Sequence, residues 1–311
     1  MYTHMEEEDQ AKEPLVTEKP PLKKKIKHLV IPGGGGTGFV SYGALRESHK
    51  QGKWNIADIE TIYGTSIGAI FAVVLCLKYD WDVIDDYLIK RPWHRVFRLD
   101  INNILDSFQK RGIFNIQVME EMFNPLFKGL DIPLTVTFQE LYDITKIEIH
   151  TICVDLQKFE RVDMSYKTHP EWKVVEAVYA SACLPILFSP FEKDGQKYLD
   201  GGFFLNYPVQ PCIDNGADIE EILGIMQRPK PESTDLSPES NLFDYILMIF
   251  HKTIAHVLSH KTNYVRIPNE IEIQSSVISI YNIFELISSS EERIKYITNG
   301  VEAFAKSSIS V

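Results

Sequence analysis

The chain has 311 residues, 44% of them apolar, and 43 acidic against 32 basic side chains, a formal charge of −11. That length suits one large or two ordinary domains with a sizeable core, and the acidic balance argues against general electrostatic binding to nucleic acid. No apolar run reaches the roughly 18 residues of a membrane span, and the acidic N-terminus lacks the apolar core of a secretory signal, so the expected location is intracellular, soluble or peripherally membrane-associated.

Residues 1–25 read as a solvated tail: Glu6 to Asp9, three prolines and Lys23 to Lys25, without hydrophobic period. Order is expected from Ile26. A buried strand over 26–32, a glycine run over 33–38 and a helix over 40–50 are followed by a strand over 59–63 and an apolar helix over 67–77. Two strand–glycine–helix units within about 50 residues indicate an α/β fold with a parallel sheet. Residues 79–130 carry helical spacing. Strands are predicted at 134–138, 147–154, 197–199, 222–226 and 277–281, with helices at 174–182, 242–260 and from Ser288–Ser290 to about Ala305. The expected division is a catalytic domain over 26–215, with strands and helices of 216–311 completing it. Cys76, Cys153, Cys183 and Cys212 lie far apart among apolar residues, as buried reduced thiols would.

The run Gly33-Gly34-Gly35-Gly36-Thr37-Gly38 fits the dinucleotide fingerprint. That motif needs an acid at the end of the next strand to hold a ribose, and the next strand ends in Gly64-Thr65-Ser66 instead. A phosphate-binding P-loop fails because no Gly-Lys-Ser/Thr follows. The competing reading is an oxyanion hole, since side-chain-free N–H groups at a helix N-terminus converge on negative charge. A merely flexible turn leaves four costly consecutive glycines unexplained.

Gly64-Thr65-Ser66-Ile67-Gly68 fits G-x-S-x-G. The pattern is short, but a predicted strand precedes it and a predicted helix follows it, as a nucleophile elbow requires. A plain helix cap accounts for Ser66 and not for both glycines. A serine nucleophile needs a base. His251, His256 and His260 follow in the order of an α/β-hydrolase triad, but along a helical segment, and without the Glu of a zinc motif. Asp200, ahead of Gly201-Gly202, is the other candidate, competing with an ordinary Asp-Gly turn.

Together these motifs resemble the patatin-like phospholipase family. The glycine loop, the elbow and Asp200-Gly201-Gly202 match, as do Thr137 to Leu141, Ala180 to Pro185 and Asn206 to Val209. The likeness is strong from Leu29 to Val209 and extends weakly to Phe284-Glu285-Leu286. It implies a three-layer α/β/α sandwich with a mostly parallel central sheet and a Ser–Asp dyad. Ser66 would be the nucleophile, Asp200 the proton acceptor, and the Gly33–Gly38 amides the oxyanion hole. It further implies acyl-lipid hydrolysis without metal or cofactor, on a glycerolipid or phospholipid met at a peripheral membrane contact. One departure is Thr37, where the family carries Arg or Lys. A transacylase on the same dyad, or a catalytically weak lipid-binding homologue, fits the same motifs. The apolar stretch Leu242 to Phe250 suits core packing, an acyl channel or an interfacial anchor.

Overall fold

The computed structural model describes residues 24–98, 107–229, 265–275 and 280–307, with scattered positions between 240 and 252. Strand β1 (His28–Ile31) leads through the glycine loop into α1 (Thr37–Lys50). Strand β2 (Thr61–Thr65) leads through Ser66 into α2 (Ile67–Cys76), which is buried at every position but its first. Then come α3 (Trp81–Lys90), β3 (Gly112–Phe114), α4 (Gln117–Lys128) and α5 (Phe138–Thr145). The next stretch is mainly strand: β4 (Glu148–Asp155), β5 (Glu160–Met164), α6 (Val174–Ala182), β6 (Ile186–Phe188), β7 (Phe191–Lys193) and β8 (Gln196–Asp200). After α7 (Val209–Asp214) and β9 (Ile222–Pro229), the described chain resumes with β10 (Asn269–Ser275), α8 (Ile280–Ser288) and α9 (Ser290–Lys306).

Among the described residues the central sheet has eight strands in the order β10-β9-β1-β2-β4-β8-β7, with β5 beside β4. The run β10-β9-β1-β2-β4 is parallel; β5, β7 and β8 join antiparallel. Alternation along β1 explains the layering. Leu29 and Ile31 enter the large core under α1, α2 and α6, while Val30 faces the opposite side and packs with Tyr63, Val209 and Cys212 beneath α7. Helices thus flank a mostly parallel sheet, as expected.

Three sequence expectations fail locally. Residues 134–138 are not a strand: Thr137 and Glu140 form a reciprocal capping box, so the segment serves to start α5. Ile280 and Tyr281 begin helix α8 rather than end a strand. Strand β10 was not anticipated, although Ile271 and Ile273 alternate with Glu270, Glu272 and Gln274 as a half-buried strand should. Lys24 and Lys25, expected in the tail, pair with Asp218 at 2.6 Å and Asp58 at 3.0 Å. Of the expected helix 242–260, several positions up to 252 are helical and the rest lies outside the described residues; Leu242, Tyr245 and Ile249 are exposed. The four cysteines are buried and unpaired. No helix among the described residues is long and apolar enough to cross a membrane.

Candidate active site

The parallel strands β1 and β2 bring their C-terminal ends together, with Ile31 opposite Gly64. The glycine loop and the elbow are therefore neighbours on one sheet edge. Gly34 and Gly35 have φ of 130° and 53°, a region that side chains rarely enter. The loop is clamped from outside. Gly33 donates its amide to Asn206 O at 3.1 Å, Gln227 Nε2 donates to Gly33 O at 2.5 Å, and Asn206 Nδ2 donates to Gln227 Oε1 at 3.3 Å. The amides of Thr37 and Gly38 turn inward to Gly34 O and Gly35 O. Among the described residues the amides of Gly34, Gly35 and Gly36 have no partner, and Gly35 and Gly36 line a cavity with Ser66. Thr37 lines a separate polar groove beside β10 and α9, so its side chain does not enter the Ser66 cavity.

Ser66 has φ 56° and ψ −124°, a strained conformation that turns the chain from β2 into α2. The flanking glycines make that turn sterically possible. A Cβ on Gly64 would lie 2.4 Å from Gly68 O, and one on Gly68 would lie 2.3 Å from Ile31 O. Ser66 N donates to Ser181 Oγ at 2.9 Å, and Ser181 Oγ donates to Ile152 O at 2.6 Å. Thr65 Oγ1 donates to Leu205 O at 2.9 Å. The strained residue is thus tied to α6, β4 and the segment after Asp200.

Asp200 ends β8, opposite Cys153 of β4 and one residue past the Thr65–Ile152 pair. Its Oδ2 accepts the Ser66 hydroxyl at 2.5 Å, and its Oδ1 accepts the Gly202 amide at 2.7 Å. Gly201 is needed because a Cβ there would lie 2.1 Å from Ile152 O. Asp200 is only 4% exposed. Burial pushes its carboxyl up to about 6, against the opposing pull of the bonds from Ser66 and Gly202. Among the described residues Ser66 is the only side chain bonded to Asp200. His251, His256 and His260 lie outside the described residues.

Behind Ser66 runs an apolar cavity of about 140 Å³, walled by Phe71 and Val74 of α2, Trp93, Met119, Phe188, and Ile283 and Leu286 of α8. Leu286 also packs on the glycine loop, with its Cδ1 2.4 Å from where a Gly36 Cβ would stand. Arg293 holds this wall in place. Buried to 4% exposure, it donates to Ile89 O at 2.7 Å and to Ile287 O at 3.3 Å, and also to Leu286 O. Those carbonyls sit in the last turns of α3 and α8, where helix dipoles favour a cation.

Sequence reasoning missed Ser181, Asn206, Gln227 and Arg293 as site residues. Ser181 and Asn206 fall inside segments already noted as matching, so a signal existed. Gln227 and Arg293 carried none: each is one polar residue beside others, Gln227 before Arg228 and Arg293 after Glu291-Glu292, with nothing in the local pattern to single it out.

The profile of the patatin-like phospholipase family matches residues 29–213. The chain is 27% identical over 241 residues to the uncharacterized protein R571 of Acanthamoeba polyphaga mimivirus, covering 75% of this chain and 77% of that one. It is 26% identical over 190 residues to the probable lipid hydrolase 463L of Invertebrate iridescent virus 6, covering 61% of this chain and 64% of that one. The crystal structure of VipD from Legionella pneumophila superposes with a TM-score of 0.56 at 18% identity, over 91% of this chain and 66% of VipD, a likeness of fold. The matches thus span slightly less than two thirds of both the iridescent virus protein and VipD. With a family profile covering more than half of its length, the chain belongs to the patatin-like phospholipase family.

Proposed function

We propose that this protein is a lipid acyl hydrolase that releases fatty acid from glycerolipids or phospholipids through a Ser66–Asp200 dyad. One observation carries the reading: the 2.5 Å bond from Ser66 Oγ to the buried Asp200 carboxylate, at the head of an apolar cavity. Family membership supports it, as does the name of the iridescent virus relative.

Asp200, with its carboxyl raised to about 6, is ionised at neutral pH yet more basic than an exposed aspartate. It takes the Ser66 proton as Oγ attacks the acyl carbonyl. The oxyanion forms beside the free amides of Gly35 and Gly36 at the N-terminus of α1, where the helix dipole adds to the field. Each such donor is worth about 3–4 kcal/mol in a measured protease case. Asp200 returns the proton to the departing alcohol, which leaves an acyl-serine. Water then enters, loses a proton to Asp200 and attacks the acyl-serine carbonyl; the Oγ–acyl bond breaks, fatty acid leaves, and Asp200 returns the proton to Ser66 Oγ. The cavity walls receive the acyl chain and keep bulk water from the carbonyl.

The test is a fluorophosphonate probe followed by analysis of the lipid products. The expected result is labelling at Ser66 and fatty acid release by the native chain, with both absent in Ser66→Ala. Fatty acid release persisting in Ser66→Ala would overturn the reading.

A further inference from the structure

Strand β4 does not stop at the level of the elbow. Its Ile152 pairs with Thr65, and it continues three residues to Asp155 before turning into β5. At about 3.3 Å per residue, the turn stands roughly 10 Å beyond the level of Thr65, at the same C-terminal edge of the sheet as the elbow. The tip carries Leu156, 40% exposed, and Phe159, 61% exposed.

The turn that carries them is tightly bonded. Asp155 Oδ1 accepts the amides of Gln157 and Lys158 at 2.9 and 3.1 Å. Leu156 N donates to Lys197 O at 2.7 Å, and Gln157 bonds to both Gly195 O and Lys197 N across the adjoining β7–β8 turn. Phe159 has φ 54°, a strained value for a bulky residue. It meets Phe204, four residues after Asp200, edge-on at 4.9 Å between centroids. A rigid turn therefore holds two apolar side chains largely in water, one of them on strained backbone and resting only on a ring at the margin of the core.

The surrounding charge narrows the occupant. Lys158 and Arg161 are exposed and, among the described residues, have no carboxylate partner. Glu160 and Asp194 share the tip, and Lys197 leans toward Glu192 at 3.5 Å. Within 156–161 the two cations outnumber Glu160, and apolar side chains beside such a small cationic excess match hydrocarbon beneath anionic headgroups.

We propose that the β4–β5 tip, residues 156–161, is an interfacial anchor that seats the active-site edge of the sheet on an anionic phospholipid surface. This rests on the lipid hydrolase reading, and it names where the protein meets its substrate.

The test uses the full chain with Ser66→Ala, so that vesicles are not consumed, and co-sedimentation with phosphatidylcholine vesicles with and without phosphatidylserine. The parent should bind the mixed vesicles. Leu156→Asp and Phe159→Asp should each weaken binding at least tenfold. Lys158→Glu with Arg161→Glu should abolish the preference for phosphatidylserine and its salt dependence. Phe159→Asn, which tolerates this φ, should weaken binding while keeping or raising the melting temperature. With Ser66 intact, Phe159→Asn should hydrolyse a soluble short-chain ester within twofold of the native rate. Unchanged vesicle binding in the Asp variants would overturn the proposal. So would loss of soluble-ester hydrolysis in proportion to binding, or a dimer dissociated by the substitutions with vesicle binding unaffected, which would make the tip a protein contact. Failure of the hydrolase reading looks different: no probe labelling or ester turnover in the native chain, with vesicle binding still governed by the tip.

Discussion

The backbone amide of Ser66 donates to the hydroxyl of Ser181 at 2.9 Å, across 115 positions of sequence. The same hydroxyl donates to Ile152 O, so one fully buried side chain joins the elbow to β4. Ser181→Ala takes away the partner of the Ser66 amide and one bond to Ile152 O at the strained turn. Stability should fall by about 1–3 kcal/mol. Turnover should fall by roughly one to two orders of magnitude through displacement of Oγ, with KM little changed. Denaturant unfolding and steady-state kinetics on a soluble ester check both; unaltered kcat in a folded variant would show that the tie does not position Ser66.

The Asp200 carboxyl is raised from an ordinary 3.8 to about 6 by burial. With Asp200 as the proposed base, the rate should therefore drop about tenfold per pH unit below about 6. The stability sign is opposite. A carboxyl that is harder to ionise when folded stabilises the fold most at low pH, and the advantage is lost as pH rises from about 4 to about 6, a change of roughly 3 kcal/mol. Asp200→Asn should consequently be almost inactive yet more stable than the native chain at pH 7.5, with the gain shrinking toward pH 4.5. The double variant with Ser66→Ala should be no less active than either single. Thermal melts at the two pH values decide it; an Asp200→Asn variant less stable at pH 7.5 would contradict the burial argument.

His150 titrates the other way. It is buried, stacked on Tyr63 at 3.9 Å, with Nδ1 2.8 Å from Asp163 and Nε2 3.2 Å from Glu148. Burial disfavours its charge, but the two carboxylates outweigh it and its pKa rises above the usual 6.5. The charged form thus stabilises the fold fully below pH 6.5, and that stability is lost as pH climbs through the raised value. The melting temperature should decline above neutrality, and His150→Gln should remove that part of the decline. An identical pH profile for His150→Gln would eliminate His150 as its source.

Arg293 should matter more for long acyl chains than for short ones. Arg293→Met strips donors from Ile89, Leu286 and Ile287 carbonyls and frees α8 from α3, at a cost of about 2–4 kcal/mol. KM for a long-chain ester should rise severalfold while that for a butyrate ester stays near native, and Arg293→Lys should recover part of the difference. Equal losses on both esters would mean a purely structural residue.

What was readable from residue order is the chemistry-bearing local geometry. Gly64 and Gly68 around Ser66, and Gly201 after Asp200, mark places where backbones touch, and only glycine survives there whatever the rest of the chain does. The parallel α/β arrangement was likewise legible in two successive strand–glycine–helix units. Tertiary structure alone decided the rest. Four consecutive glycines are identical as letters, and the choice of Gly34 to Gly36 as the free amides depends on φ values and on clamps from Asn206 and Gln227 far along the chain. Residues 134–138 looked like a strand because their apolar pattern is short and Thr137 acts as a cap only once Glu140 folds back on it. Ser66 and Asp200, 134 positions apart, become partners because β8 runs antiparallel to β4 and stops beside the elbow. The burial that raises the Asp200 carboxyl belongs to the packed sheet edge, because desolvation is a property of surroundings that no short motif contains.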